Sequence, residues 1–163
     1  MTTEIGEYIV GAYLQLIKDC DVVDYNVRPP ERGLKGLNEF DVLGFNFKEN
    51  IVYLCEVKTH ITGLHYKHCE KIKSKYNSQR EYARKYLNTF DEHIYMFWSP
   101  VVPEGRLTKE LRNIRGLELK INDIYTNCIN QLAQVAKSRN IDIGNPFFRS
   151  LQIIQHLRGS KEF

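Results

Sequence analysis

The chain has 163 residues, of which 42% are hydrophobic and 26% charged, and its formal net charge is +3. That length suits one domain with a sizeable core and is short for two, so a single unit over residues 1–163 is expected. The composition excludes a disordered or collagen-like chain, and the mild positive charge permits a nucleic-acid partner without requiring one.

Residues 3–19 are predicted to form a helix capped by Thr2 or Thr3, with Ile5, Ile9, Ala12, Tyr13 and Leu16 on one face. Residues 21–27, rich in Val and Tyr, predict a strand, and 28–38, with two prolines and two glycines, a loop. Residues 40–47 and 51–59 are β-prone runs separated by Lys48-Glu49-Asn50, a hairpin signal. A long basic helix is predicted over 64–87 and a strand over 93–98, stopped by Pro100 and Pro103. A short helix near 107–114, a strand at 117–121 and helices at 123–139 and 146–157 complete the chain, Pro146 suiting a first helical turn. The predicted order is α-β-β-β-α-β-α-β-α-α, a mixed α/β architecture. Cys20, Cys55, Cys69 and Cys128 show no CxxC spacing, and His65, His68 and Cys69 lack a fourth ligand, so neither a disulfide framework nor a zinc site is expected. With no basic-flanked apolar leader and no run of membrane-spanning length, a cytoplasmic location is expected.

The hairpin carries the chemistry. Strand side chains alternate between faces, so Glu56 and Lys58 share a face while Cys55 and Val57 point the other way. Asp41 joins them only if the pairing sum across the hairpin is odd. A sum of 97 (loop at Lys48-Glu49) sets Asp41 opposite Glu56, and 99 (loop at Glu49-Asn50) sets it opposite Lys58. A regular three-residue loop, sum 98, turns Asp41 to the far face unless a bulge corrects the count. Two adjacent carboxylates repel unless a cation lies between them, and hard oxygen ligands suit Mg²⁺ or Mn²⁺. A metal so held polarises a phosphodiester and acidifies a water, and a nearby lysine orients that water or offsets developing charge. An ordinary solvated Glu56/Lys58 pair is the bland alternative. Against it, the run 51–55 is apolar on both faces, as in a buried central strand, where a charged pair is costly without a task.

Asp41, followed after fourteen residues by Glu56-Val57-Lys58 across a hairpin and preceded by a Glu-bearing helix, resembles the PD-(D/E)XK nuclease superfamily. The predicted α-β-β-β-α-β order over about 3–98 matches that family's restriction-endonuclease-like core, a mixed sheet flanked by helices. Residues of about 104–158 would add a strand and C-terminal helices. Phe40 stands where the literal motif has proline, a departure that leaves the chemistry of Asp41 untouched. The resemblance implies divalent-metal-dependent DNA cleavage with Mg²⁺ or Mn²⁺ as cofactor and no organic one. It also implies Asp41, Glu56 and the Val57 carbonyl as metal ligands, with a further acid from the first helix. Glu7, on the side shared by Val10, Gly11 and Leu14, is favoured for that acid over Glu4. Related nucleases often place a Gln or Lys from the long helix at the site, and Gln79 falls inside the Ile72, Tyr76, Ala83, Tyr86 stripe.

Lys67, Lys71 and Lys75 recur at intervals of four on the long helix, with Arg80 and Arg84 nearby, while Arg28, Arg32 and Lys35 occupy the loop before the hairpin. Such faces are often merely solvated, but beside a phosphodiester-cutting site they would contact DNA phosphates without reading bases. Cutting a duplex with one domain this small would call for a homodimer. The rival functions are a non-catalytic DNA-binding module on the same fold, and a small interaction protein in which the motif is coincidence.

Overall fold

The computed structural model describes residues 2–29 and 39–162. Along the chain run helix α1 (Ile5–Leu16), strands β1 (Val22–Val27), β2 (Phe40–Asn46) and β3 (Ile51–Val57), and helix α2 (His68–Tyr86). Strand β4 (Glu92–Ser99), helix α3 (Arg106–Arg112), strand β5 (Leu117–Ile121) and helices α4 (Asn122–Ser138) and α5 (Pro146–Gln155) follow. The five strands form one sheet in sequence order. β1–β2 and β2–β3 pair antiparallel, whereas β3–β4 and β4–β5 pair parallel, because α2 and α3 carry the chain back between them. The molecule is thus α/β with a mixed sheet flanked by helices, and no helix among the described residues is long and apolar enough to cross a membrane.

Helices cover both faces of the sheet. On one, Val10, Ala12 and Leu14 of α1, with Leu132 of α4 and Phe148 of α5, pack on Val42, Tyr53, Cys55 and Val57. On the other, Tyr76 and Ala83 of α2 pack on Leu43, Val52 and Leu54. Ile72, Leu107 and Leu111 join α2 to α3 over Phe97. β3 is therefore enclosed on both faces, which its apolar run requires.

Besides ends that fall a few residues short, α1 at Leu16 and β3 at Val57, two helix starts differ from expectation. Glu4, not a threonine, is the N-cap of α1, and its backbone N–H donates to Glu7 Oε2 at 2.9 Å. Of the expected α1 stripe Ala12 and Tyr13 are buried, but Ile5 is 57% exposed, and the inward face extends instead to Val10 and Leu14, which are fully enclosed. Gly6 and Gly11 explain this. A Cβ at Gly11 would meet the Tyr25 ring, and one at Gly6 would meet Thr59, so the glycines allow that side to lie tight on β1 and on the end of β3. α2 starts at His68, four residues later than expected, after a turn in which Gly63 has φ +91°.

Candidate active site

The β2–β3 hairpin pairs Val42 with Cys55, Leu43 with Leu54 and Asn46 with Ile51, a constant sum of 97. Four turn residues, 47–50, close it, with Asn50 in the left-handed region at φ +58° and Asn46 Oδ1 accepting from the Glu49 N–H. Continuing the register one step sets Asp41 opposite Glu56, on the face covered by α2. Asp41 Oδ2 accepts from the Val57 N–H at 2.8 Å, and the Lys58 N–H donates to the Trp98 carbonyl at 2.9 Å, so backbone hydrogen bonds fix both ends of the motif.

Asp41 and Glu56 are each only 6% exposed. Lys58 Nζ lies 2.8 Å from Glu56 Oε1. Lys75, reaching in from α2, places its ammonium 3.2 Å from Asp41 Oδ1 and in an ion pair with Glu56 Oε2, an oxygen that receives no well-angled hydrogen bond. All four carboxylate oxygens thus face a donor or cation of the chain itself. Burial, then the nearby Asp41 charge, holds the Glu56 carboxyl above its ordinary pKa, and Lys75 and Lys58 only partly counter this. Burial alone would pull the Lys58 pKa down, but the Glu56 carboxylate, seconded by Asp41, outweighs it and the net shift is upward. Beside the carboxylates opens a cavity of about 370 Å³ lined by Glu56, Lys58, His68, Lys71, Ile72, Ser74 and Lys75, a largely apolar wall on which lysine ammonium groups outnumber the one carboxylate.

The donor set fits a hard divalent ion on one direct observation: Asp41 Oδ1 and Glu56 Oε2 already converge on a single cationic centre, the Lys75 ammonium. Among the described residues no three His, Cys, Asp or Glu side chains group as a metal cage. Mg²⁺ does not need one, since it commonly keeps several waters and takes one or two carboxylates plus substrate phosphate oxygens.

The other expected residues are distributed unevenly. Glu7 is buried, but its Oε2 is engaged by the Glu4 N–H and by Asn26 Nδ2 at 3.0 Å. It lies within electrostatic reach of Asp41, but among the described residues it does not join Asp41 and Glu56 in a three-carboxylate group. Its carboxyl pKa is raised by burial despite those hydrogen bonds, with a smaller contribution from Asp41. Gln79 is 1% exposed and its Nε2 has no hydrogen-bond partner, but it does not line the cavity; Lys75, one turn earlier, reaches the acids instead. Val57 touches the site through the N–H it donates to Asp41. Lys67 and Lys71 are exposed, and Lys71 borders the cavity. Arg80 and Arg84 line a different cavity of about 460 Å³ with Asp91 and Glu92, away from the carboxylates. Arg28 is exposed and 3.9 Å from Glu39, while Arg32 and Lys35 lie outside the described residues.

Three contributors are not legible as such in the sequence. The four-residue spacing places Lys75 with the outward lysines, yet it lies three residues after Ile72 and four before Gln79, on the shoulder of the buried stripe. From there a flexible stem can turn inward. His68 lines the cavity and stacks between His60 and His65, at ring-centroid distances of 5.8 and 5.9 Å. Cys69 instead turns into the apolar core, which separates it from His65 and His68. Asn26 falls across from Asp41 in the β1–β2 register, at φ +52°, and its amide holds Glu7. Asparagine adopts that conformation more readily than most residues, but a run of β-prone neighbours gives no reason to expect it there.

Comparison with protein-family models, with curated proteins and with solved structures yields no match.

Proposed function

We propose that the chain is a divalent-metal-dependent deoxyribonuclease of the PD-(D/E)XK type, hydrolysing DNA phosphodiesters at the Asp41, Glu56 and Lys58 site. The observation that carries the proposal is the convergence of Asp41 Oδ1 and Glu56 Oε2 on one cation, with Lys58 on the remaining Glu56 oxygen. Asp41 and Glu56 would hold Mg²⁺ or Mn²⁺, which when bound would supply Lewis-acid polarisation of the phosphodiester and a more acidic water. Asp41 and Glu56 bind and orient, and their position on central strands makes that orientation rigid. Lys58, partly exposed and held on the β3–β4 ladder, lies where it can orient the attacking water and offset charge developing on the phosphoryl oxygens. The cationic cavity takes the substrate's phosphate, and a second copy of the chain would be needed to cut both strands of a duplex.

The rival is a DNA-binding module with a metal-free site, and Lys75 is the observation in its favour, because it leaves Asp41 and Glu56 neutralised without a metal. A cleavage panel on linear, single-stranded, branched and methylated DNA, with Mg²⁺, Mn²⁺ or EDTA, separates the two. Metal-dependent products should appear with the wild type and vanish with Asp41→Asn. Lys58→Ala should lose on the order of a hundredfold in rate while still binding metal. Binding without cleavage across the panel favours the rival.

A further inference from the structure

Lys75 differs in environment from the other lysines of α2. Its side chain is 18% exposed, and its ammonium bridges two carboxylates that stand on central strands. Lys67 and Lys71, earlier in the chain, are exposed. The resulting cluster is electrically closed: two buried carboxylates, Asp41 and Glu56, face two ammonium groups, Lys58 and Lys75. A buried pair of like charges is tolerated only with such compensation.

We propose that Lys75 is a displaceable internal cation, which holds the two carboxylates together until a divalent ion takes its place and then turns into the adjoining cavity to meet a phosphate. This inference rests on the metal-dependent assignment above. A divalent ion brings two charges to the point where the ammonium brings one, so its arrival leaves the cluster with surplus positive charge. Lys58 keeps the other Glu56 oxygen, and of the three groups that meet at that point, Asp41, Glu56 and Lys75, only Lys75 can readily move. Asp41 and Glu56 sit in paired strands and Asp41 is tied to the Val57 N–H, whereas Lys75 has a flexible four-carbon stem beside open space. That space is bounded by Lys58, Lys71, His68, Ile72, Ser74 and Glu56, whose facing oxygen Lys58 already holds, so a third ammonium there lacks a free counter-charge until an anion arrives. A substrate phosphate supplies that anion. Metal and phosphate binding then favour each other through one side chain, and the coupling is reciprocal.

The test uses the full chain and Mn²⁺ alone. Calorimetric titration should show that Lys75→Met binds Mn²⁺ at least tenfold more tightly than the wild type, because no internal cation competes. Amine acetylation read by mass spectrometry should show Lys75 of the wild type becoming severalfold more reactive at saturating Mn²⁺, with the exposed Lys48 on the hairpin turn unchanged as control. Equal or weaker Mn²⁺ affinity in Lys75→Met, with the wild type binding normally, overturns this inference and leaves the nuclease assignment standing. Absence of Mn²⁺ binding in both proteins overturns the two together. Should Lys75→Met fail to fold, the wild-type labelling decides alone: a Lys75 reactivity indifferent to Mn²⁺ sinks the idea.

Discussion

The two faces of β3 meet burial in opposite ways. Toward α1, Tyr53, Cys55 and Val57 enter a layer of mostly apolar side chains, whose main requirement is neighbours of the right volume. Toward α2, Val52 and Leu54 are as deeply enclosed, but the next residue on that face is Glu56, with Asp41 across the hairpin from it. The first face is self-sufficient. The second is stable because lysines from the strand's own end and from α2 neutralise charges that packing gives no reason to place there. One strand thus separates residues whose burial packing explains from residues whose burial it does not.

The sharpest way to break that contrast is to alter neighbouring positions of the same face. Leu54→Ala should cost about 2–5 kcal/mol in urea denaturation, as an enclosed leucine removed from a close-packed core does. Glu56→Gln should abolish cleavage with no such loss. The Glu56 carboxyl has a folded pKa raised by burial and by Asp41. The stability it contributes while protonated, present below the ordinary value of about 4.5, is lost as pH rises through the folded pKa. Glu56→Gln should therefore gain on the wild type between acid and neutral pH. A neutral-pH stability below that of the wild type would mean that the ion pairs outweigh the burial.

A smaller effect sharpens the boundary between the lysine that turns inward and those that do not. Replacing Lys67 and Lys71 together by alanine should leave the fold and the metal affinity intact. The salt dependence of DNA binding should become shallower by roughly 0.9 for each phosphate that these lysines no longer neutralise. An unchanged slope would make these residues a solvated surface only.

The smallest effect belongs to the apolar face. Burial pushes the Cys20 thiol up to about 12 and the fully enclosed Cys55 thiol above its usual range as well. These thiols stay neutral at pH 8, so a thiol reagent should label them only as fast as the protein unfolds. With the folded pKa raised, their contribution is fully present below the ordinary thiol pKa of about 9 and declines as pH climbs toward 12. The urea midpoint should accordingly drift down in alkali. Rapid labelling at pH 8 would show that this face opens locally.

Local rules made much of the molecule legible. The order of helices and strands follows from periodicity and from Gly, Pro and Asn punctuation. The odd-sum condition on Asp41 follows from side-chain alternation alone, and the observed sum of 97 meets it. These are properties of a few consecutive residues, so the chain states them without reference to distant parts. What periodicity could not decide was which flank of a helix turns inward. Ile5 is exposed and Val10 enclosed because two glycines let α1 lie against Tyr25 and Thr59, partners remote in sequence. Lys75 points inward because the sheet beneath it presents two carboxylates. Glu7 is held by Asn26, a partner remote in sequence whose left-handed backbone brings its amide to α1. A residue on the shoulder of a helix has nearly equal local claims to water and to the interior, and only the charge and shape of the surface it meets on folding settles the choice.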